Sequence, residues 1–286
     1  MAGEREFPDL PWGAASDSSL GVDNIVLDLA GEYIFRFPRT EENARQLDKE
    51  IRLLPVVNEF VRAPTPKLEF VGKGTGLVVC PFVGYRKIGG VPLAEVPADG
   101  GLDSVAAAMD QLLCDLANLP ELALRAARVW GDPKKDWREG FLGWFSRWED
   151  LLLPRLPPGV RRRIREDWDA FLTNPDSFAF TPVLLHRDLT PDHILWDGRE
   201  VCGIIDWGDA SVGDPAYDLT GLAFLGKARL DAVAGRRAAV MGDGWRERLA
   251  FYRRRLPQIQ AVSAIVDRRD PALFERLARD IERSFV

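Results

Sequence analysis

Residues 183–209 read Val183-Leu184-Leu185-His186-Arg187-Asp188-Leu189-Thr190-Pro191-Asp192-His193-Ile194-Leu195-Trp196-Asp197-Gly198-Arg199-Glu200-Val201-Cys202-Gly203-Ile204-Ile205-Asp206-Trp207-Gly208-Asp209. A short apolar run leads into a polar loop and a second one leads out. After a turn at Asp197-Gly198, a third apolar run ends at Asp206. Short apolar runs bounded by turn residues predict strands. Two hydrophobic strands then deliver two carboxylates, Asp188 and Asp206, to the same end of a hairpin. Both histidines of the chain, His186 and His193, fall in the first loop.

Working outward, the N-terminal part is also strand-like. Ile25–Leu29 and Tyr33–Phe37 flank Ala30-Gly31-Glu32, which predicts a hairpin with a short glycine-containing loop. A helix follows: Thr40 can cap it, Glu41 and Glu42 suit its first turn, and Ala44, Leu47, Ile51 and Leu54 recur at helical steps. Lys67–Val71 and Gly76–Pro81 predict two further strands around a turn at 72–75. Beyond Val91 the pattern turns helical, at Ser104–Leu119, Phe141–Leu153 and Val160–Leu172. A last helix carries Leu273, Leu277, Ile281 and Phe285 on one face. Strands first and helices later predict an α+β fold of two lobes. The boundary falls near Phe82-Val83-Gly84, giving a β-rich lobe over 1–82 and a larger helical lobe over 83–286.

The bulk properties fit an ordinary globular enzyme. The chain has 286 residues, 46% hydrophobic and 29% charged, enough for one large domain or two lobes with a sizeable core. Its three cysteines, Cys80, Cys114 and Cys202, are too scattered for a disulfide framework or a zinc site. The longest apolar run, near Leu77–Val83, falls well short of the ~18 residues of a membrane span. The acidic start, Met1–Glu6, lacks the apolar core of a signal peptide. A soluble cytoplasmic protein that acts as a monomer is therefore expected. A net charge of −6 argues against nucleic acid as a partner, because binding phosphates needs basic patches.

The motifs in 183–209 carry a family resemblance. His-Arg-Asp-Leu-Thr-Pro-Asp-His at 186–193 resembles the catalytic loop of the kinase fold, with His193 where Asn is usual. Ile-Ile-Asp-Trp-Gly-Asp at 204–209 looks like the metal-binding segment of that fold. Gly213-Asp214-Pro215-Ala216-Tyr217-Asp218-Leu219 departs from protein kinases and resembles the aminoglycoside phosphotransferase family of small-molecule kinases. Gly21–Asn24 and Phe35–Arg39 look like that family's first hairpin.

The resemblance implies a two-lobed, kinase-like fold and transfer of the γ-phosphoryl group of ATP or GTP, with Mg²⁺ or alternatively Mn²⁺, to a hydroxyl of a small molecule. It is most similar to the 2″-type aminoglycoside kinases; macrolide kinases come next, and a catalytically silent nucleotide-binding relative is the rival of a different class. It further implies that Asp188 accepts the proton of the attacking hydroxyl and that Asp206 holds the metal. Asp218 would brace the catalytic loop and His186 would be structural. His193 would be a metal ligand, although magnesium prefers oxygen donors.

The family's phosphate-binding lysine is replaced by Arg36, which shares a strand face with Ile34. An Arg36–Glu50 pair would take over its role, with bidentate phosphate contact. Ser19, within Ser16–Gly21, would cover the phosphates with backbone N–H groups. Cys80 and Phe82 complete the expected nucleotide-binding set. Asp209, with Asp231 and Glu149, could line a site for a cationic substrate. Trp137, Trp144 and Trp148 recur at steps of seven and four, which points to core packing more than to a sugar platform.

Overall fold

The computed structural model describes residues 2–17, 23–74, 81–97, 101–266 and 271–285. A short helix, α1 (Ala2–Glu6), precedes three strands, β1 (Ala15–Asp17), β2 (Asn24–Leu29) and β3 (Tyr33–Pro38). Helix α2 (Glu41–Phe60) follows, then β4 (Leu68–Gly72) and β5 (Phe82–Arg86). The strands form an antiparallel sheet in the order β1-β2-β3-β5-β4. Its last strand lies just beyond the expected lobe boundary at residue 82. The expected strand at 76–81 falls largely outside the described residues.

Strand alternation sorts the two faces of this sheet. Tyr33 and Phe35 on β3 and Phe82 on β5 point to one side and join Trp12 and Leu29 in a buried aromatic cluster. Gly84 leaves room for it: a Cβ there would meet the Phe35 ring at 2.4 Å. Arg36 points to the other side, against α2. Thr40 caps that helix as the sequence predicts, its Oγ1 accepting the Asn43 N–H at 3.1 Å. The inner face of α2 buries Leu47, Glu50, Leu53, Leu54 and Val57.

The second lobe opens with β6 (Val91–Pro92) and continues through α3 (Leu102–Ala117), α4 (Glu121–Ala126), α5 (Pro133–Leu151) and α6 (Pro158–Thr173). Four short strands follow: β7 (Val183–Leu185), β8 (Ile194–Trp196), β9 (Val201–Ile204) and β10 (Ser211–Gly213). Helices α7 (Lys227–Met241), α8 (Trp245–Val266) and α9 (Pro271–Arg283) complete the chain. The whole is a β-rich N-terminal lobe followed by a helical lobe, the α+β order that the sequence predicts. No helix among the described residues is long and apolar enough to cross a membrane.

The hairpin expected between the two aspartates is present and turns at 197–200, with Asp188 and Asp206 both at its open end. β8 and β9 pair with each other, with Ile194 opposite Ile204, while β7 pairs with β10. Asp188 therefore sits on the β7–β8 loop and Asp206 just past β9. Strands of three or four residues bury too few side chains to advertise their partners in sequence, and the ladder is chosen by the surrounding core.

Candidate active site

Two non-glycine residues at this site hold left-handed backbone, Arg187 (φ 69°) and Asp206 (φ 63°). Such conformations cost energy and cluster where a side chain must be aimed. The loop bearing Asp188 is tied down from below. The Asp218 carboxylate accepts the backbone N–H groups of His186 and Arg187 at 2.9 and 2.8 Å. Burial pushes Asp218 up to about 6, against these two hydrogen bonds. His186 is fully buried, its Nε2 is 3.0 Å from the Ile205 carbonyl, and its ring packs on Trp207. Burial above all pulls its pKa down to about 4, so the ring is a neutral strut at neutral pH.

His193 spans the two key carboxylates. Its Nδ1 lies 2.8 Å from the Asp188 carbonyl oxygen and 3.3 Å from Asp188 Oδ2, and its Nε2 lies 3.6 Å from Asp206 Oδ2. A carbonyl can only accept, so Nδ1 carries the proton in the neutral ring and Nε2 keeps its lone pair. A nitrogen lone pair and a carboxylate oxygen so close together make a two-point seat for one divalent cation. Among the described residues no group of three or more His, Cys, Asp or Glu forms a complete metal site. The pair therefore fits a metal that brings further oxygen ligands with it, as a nucleotide-bound magnesium does.

Arg36 closes the site from the N-terminal lobe. Its Nη1 donates to both Glu50 oxygens at 2.7 and 2.9 Å, and its Nη2 donates to Asp206 Oδ1 at 3.1 Å. Arg36 and Glu50 are 7% and 1% exposed, so this is a buried ion pair extended to a half-exposed carboxylate. Burial works against the Arg36 charge, but Glu50 and Asp206 outweigh it and push its pKa up. Burial likewise opposes the Asp206 charge, yet Arg36 and the histidines hold its carboxyl below the usual range. Asp188 goes the other way. Burial raises it, aided by Asp209, Asp206 and Asp192 and opposed by His193, which makes it a better proton acceptor than a free aspartate.

A cleft of about 380 Å³ joins these groups, lined by Asp23, Asn24, Arg36, Glu50, Asp188, Asp206 and Asp209 among others. Asp209 is anchored to α2 by Gln46, 3.2 Å away. Of the expected residues, Arg36, Glu50, Asp188, His193, Asp206 and Asp209 meet here, with His186 and Asp218 beneath. Phe82 does not: the strand alternation turns its ring into the aromatic cluster, where it is 1% exposed. Asp231 and Glu149 are surface residues paired with Lys227 and Arg165. Ser19 and Cys80 lie outside the described residues.

Sequence reasoning passed over Tyr85, Asn24 and Gln46. Tyr85 is buried on the Arg36 face of β5, and burial first of all pushes its phenol up to about 12. Its place two residues after Val83, on the same strand face, was a readable signal. Asn24 lines the cleft with a buried Oδ1 that has no partner among the described residues. Gln46, one turn before Glu50 on α2, could have been found from that spacing alone.

A β-lobe arginine paired to a helix glutamate, and two aspartates that share its cleft, fit the β-rich and helical lobes of a two-lobed, protein-kinase-like protein. A family model confirms and narrows this: residues 19–252 match the phosphotransferase enzyme family, and the chain belongs to it. Viomycin phosphotransferase of Streptomyces vinaceus is 27% identical over 254 residues, covering 85% of this chain and 84% of that protein. The GDP and kanamycin complex of APH(2")-IIIa superposes with a TM-score of 0.86 at 26% identity, over 99% of this chain and 96% of that one. Macrolide 2'-phosphotransferase MphH from Brachybacterium faecium, 20% identical with a TM-score of 0.71 over 98% and 96% of the two chains, shares the fold.

Proposed function

We propose that this protein moves the γ-phosphoryl group of ATP or GTP to a hydroxyl of a small antibiotic, an aminoglycoside in the first place. The observation that carries the reading is the convergence of Asp188, Asp206, His193 and the Arg36–Glu50 pair on one cleft. Residues 1–82 supply the nucleotide side and 83–286 the catalytic and acceptor side. Asp188 takes the proton of the attacking hydroxyl and orients it in line. Arg36, its Nη1 held by Glu50, meets the nucleotide phosphates through the Nη2 end that also contacts Asp206. Asp206 and His193 would hold the Mg²⁺ or Mn²⁺ ion, which when bound neutralises phosphate charge. Asp218 and His186 keep Asp188 in place.

The kanamycin complex of a 26% identical chain with a TM-score of 0.86 supports an aminoglycoside acceptor. A second reading, an acceptor of the viomycin kind, is favoured by the match to viomycin phosphotransferase along most of both chains. The deciding experiment has two stages. The gene is expressed in a susceptible bacterium challenged with kanamycin, gentamicin, streptomycin, viomycin and a macrolide. Phosphate transfer from ATP and from GTP to the active compounds is then measured with purified protein. Resistance to an aminoglycoside with matching transfer is expected. Resistance to viomycin alone moves the assignment to the second reading, and a macrolide to a third. Nucleotide binding without transfer to any of them points to a silent relative.

A further inference from the structure

The chain passes from the sheet to the helical lobe through residues 87–90, between the end of β5 and the start of β6. The near end of this linker belongs to the sheet. The Lys87 N–H donates to the Glu32 carbonyl at 2.8 Å, and Lys87 Nζ lies 2.7 Å from Asp28 Oδ2. The far end belongs to the helical lobe, where Val91 and Pro92 pair with Trp196 and Leu195 of β8. Between them lies Ile88-Gly89-Gly90, to which phosphoryl transfer itself assigns no role. Two glycines in a row make a loose segment, because glycine has the most backbone freedom to lose. Its conformation has to be imposed by its neighbours.

Strand β9 imposes it through Cys202 and Gly203. The Cys202 thiol donates to the Gly89 carbonyl oxygen, with Sγ 3.1 Å away. Burial above all, then the charges of Asp197 and Glu200, push this thiol's pKa up, so at neutral pH it keeps the proton it donates. Gly90 is left-handed, with φ 94°, and lies close against the same strand. A Cβ there would meet Cys202 Sγ at 2.5 Å and the Trp196 carbonyl oxygen at 2.8 Å. Beside it, Ile88 fills the space over Gly203. A Cβ on Gly203 would meet Ile88 Cγ2 at 2.7 Å and Leu195 Cδ1 at 3.2 Å. Three consecutive linker residues thus rest on two consecutive residues of β9, the strand that runs on to Asp206.

The consequence lies across the cleft. Arg36 stands on the sheet and Asp206 beyond β9, and their contact at 3.1 Å depends on how the linker sets one lobe against the other. We propose that Cys202 and Gly203 are positioning residues for the nucleotide site: they lock Ile88-Gly89-Gly90 onto β9 and so hold Arg36 and Asp206 at a fixed spacing. The proposal rests on the phosphotransferase reading and deepens it. Neither residue lines the cleft, so both act through the linker. A bound nucleotide that bridges the two lobes can restore the spacing by spending part of its binding energy. Freeing the linker therefore weakens nucleotide binding more than it slows transfer.

Limited trypsin digestion of the full-length protein reads the lock without nucleotide, since Arg86 and Lys87 are exposed cleavage sites at the start of the linker. Mass spectrometry follows cleavage after each of them. It should be severalfold faster in Cys202→Ala, which removes the donor, and in Gly203→Ala, whose Cβ displaces Ile88. Cys202→Ser keeps a donor and should stay near the native rate. A general loss of stability would speed cleavage throughout the chain, whereas a freed linker speeds it after Arg86 and Lys87 alone. Titration with Mg²⁺-ADP and Mg²⁺-GDP is the second arm. Binding about two- to tenfold weaker is expected in Cys202→Ala and Gly203→Ala, the range of one net hydrogen bond, with native affinity in Cys202→Ser. In turnover assays kcat at saturating nucleotide and KM for the acceptor should stay within about twofold, as the nucleotide restores the spacing. Unchanged cleavage after Arg86 and Lys87 in both variants, or faster cleavage with native nucleotide affinity, overturns the proposal. A native protein that binds neither nucleotide sinks the phosphotransferase reading and the lock's role in it, while the cleavage pattern alone reports the lock itself.

Discussion

The Nδ1 of His193 lies 2.8 Å from the backbone carbonyl oxygen of Asp188, a contact that fixes the tautomer of the ring. It makes Nε2 the free lone pair, turned to Asp206 at 3.6 Å. Where the kinase pattern has an amide oxygen, this site has a nitrogen, and nitrogen favours Mn²⁺ over Mg²⁺ more than oxygen does.

His193→Asn should therefore shift metal preference. With the variant, the ratio of Mg²⁺- to Mn²⁺-supported turnover should rise, and Mn²⁺ titrations of the nucleotide-loaded protein should show weaker binding. Equal metal preference in the native protein and the variant would remove His193 from the metal seat.

Asp188 gives a second test. Its raised pKa suits a proton acceptor, and its carboxylate faces the cleft without a contact to Arg36. Asp188→Asn should lower kcat by ~10²–10⁴, the usual general-base range, while nucleotide affinity changes less than severalfold. Steady-state kinetics beside nucleotide titration separates the two. Full turnover in the variant would exclude Asp188 as the base.

How far the sequence foretold this arrangement depended on local signals. The β2–β3 hairpin and α2 were legible because alternation, a Thr cap and acidic first-turn residues act within a few positions. The Arg36–Glu50 contact was legible because strand face and helix face each have a fixed period. The β7–β10 pairing was not, since three-residue strands far apart in sequence leave no pattern of their own. Helix α8 also hides its faces: Phe251, Tyr252, Arg255, Gln258 and Ala261 are all buried, so it shows no clean apolar stripe. The Trp137–Trp148 spacing did mark a packed face, with Trp137 and Trp148 buried, but the half-open Trp144 could not be told from them.

The buried pair beneath the loop makes stability respond to pH in two opposed ways. His186 has its pKa pulled down to about 4 by burial, from 6.5. Between pH 6.5 and 4 the unfolded chain takes up a proton that the folded one refuses, so this residue costs stability as pH falls. Asp218, pushed up to about 6 from 3.8 by burial, takes its proton earlier in the folded state. Between pH 6 and 3.8 it adds stability as pH falls. The two nearly cancel in the native protein. Asp218→Asn removes the second and leaves the first, so the variant should lose on the order of 3 kcal/mol more than the native protein between pH 6.5 and 4. Denaturant unfolding at several pH values reads the difference. Parallel curves would mean that Asp218 titrates like an ordinary aspartate.

Arg36 stands where the family resemblance leads one to expect a lysine, and this is where the chain should differ most from its relatives. Arg36 is shared between Glu50 and Asp206, so the three residues act as one unit. Removing one member of a buried pair typically costs about 3–5 kcal/mol, because the other charge stays buried. Glu50→Ala should fall at or below that range, since Asp206 still holds one side of Arg36. Arg36→Ala should cost as much and should also weaken nucleotide use. The double variant should cost much less than the sum, as residues sharing one contact do not add. Thermal unfolding and nucleotide KM measure the two effects separately. Arg36→Lys is the sharper variant. An ammonium cannot hold both Glu50 oxygens through one planar end and reach Asp206 Oδ1 through the other. Activity should fall at least tenfold even though the variant restores the residue usual in the family. Native activity in Arg36→Lys would mean that the site needs a positive charge and not a fork, and native activity in Arg36→Ala would take Arg36 out of the nucleotide site altogether.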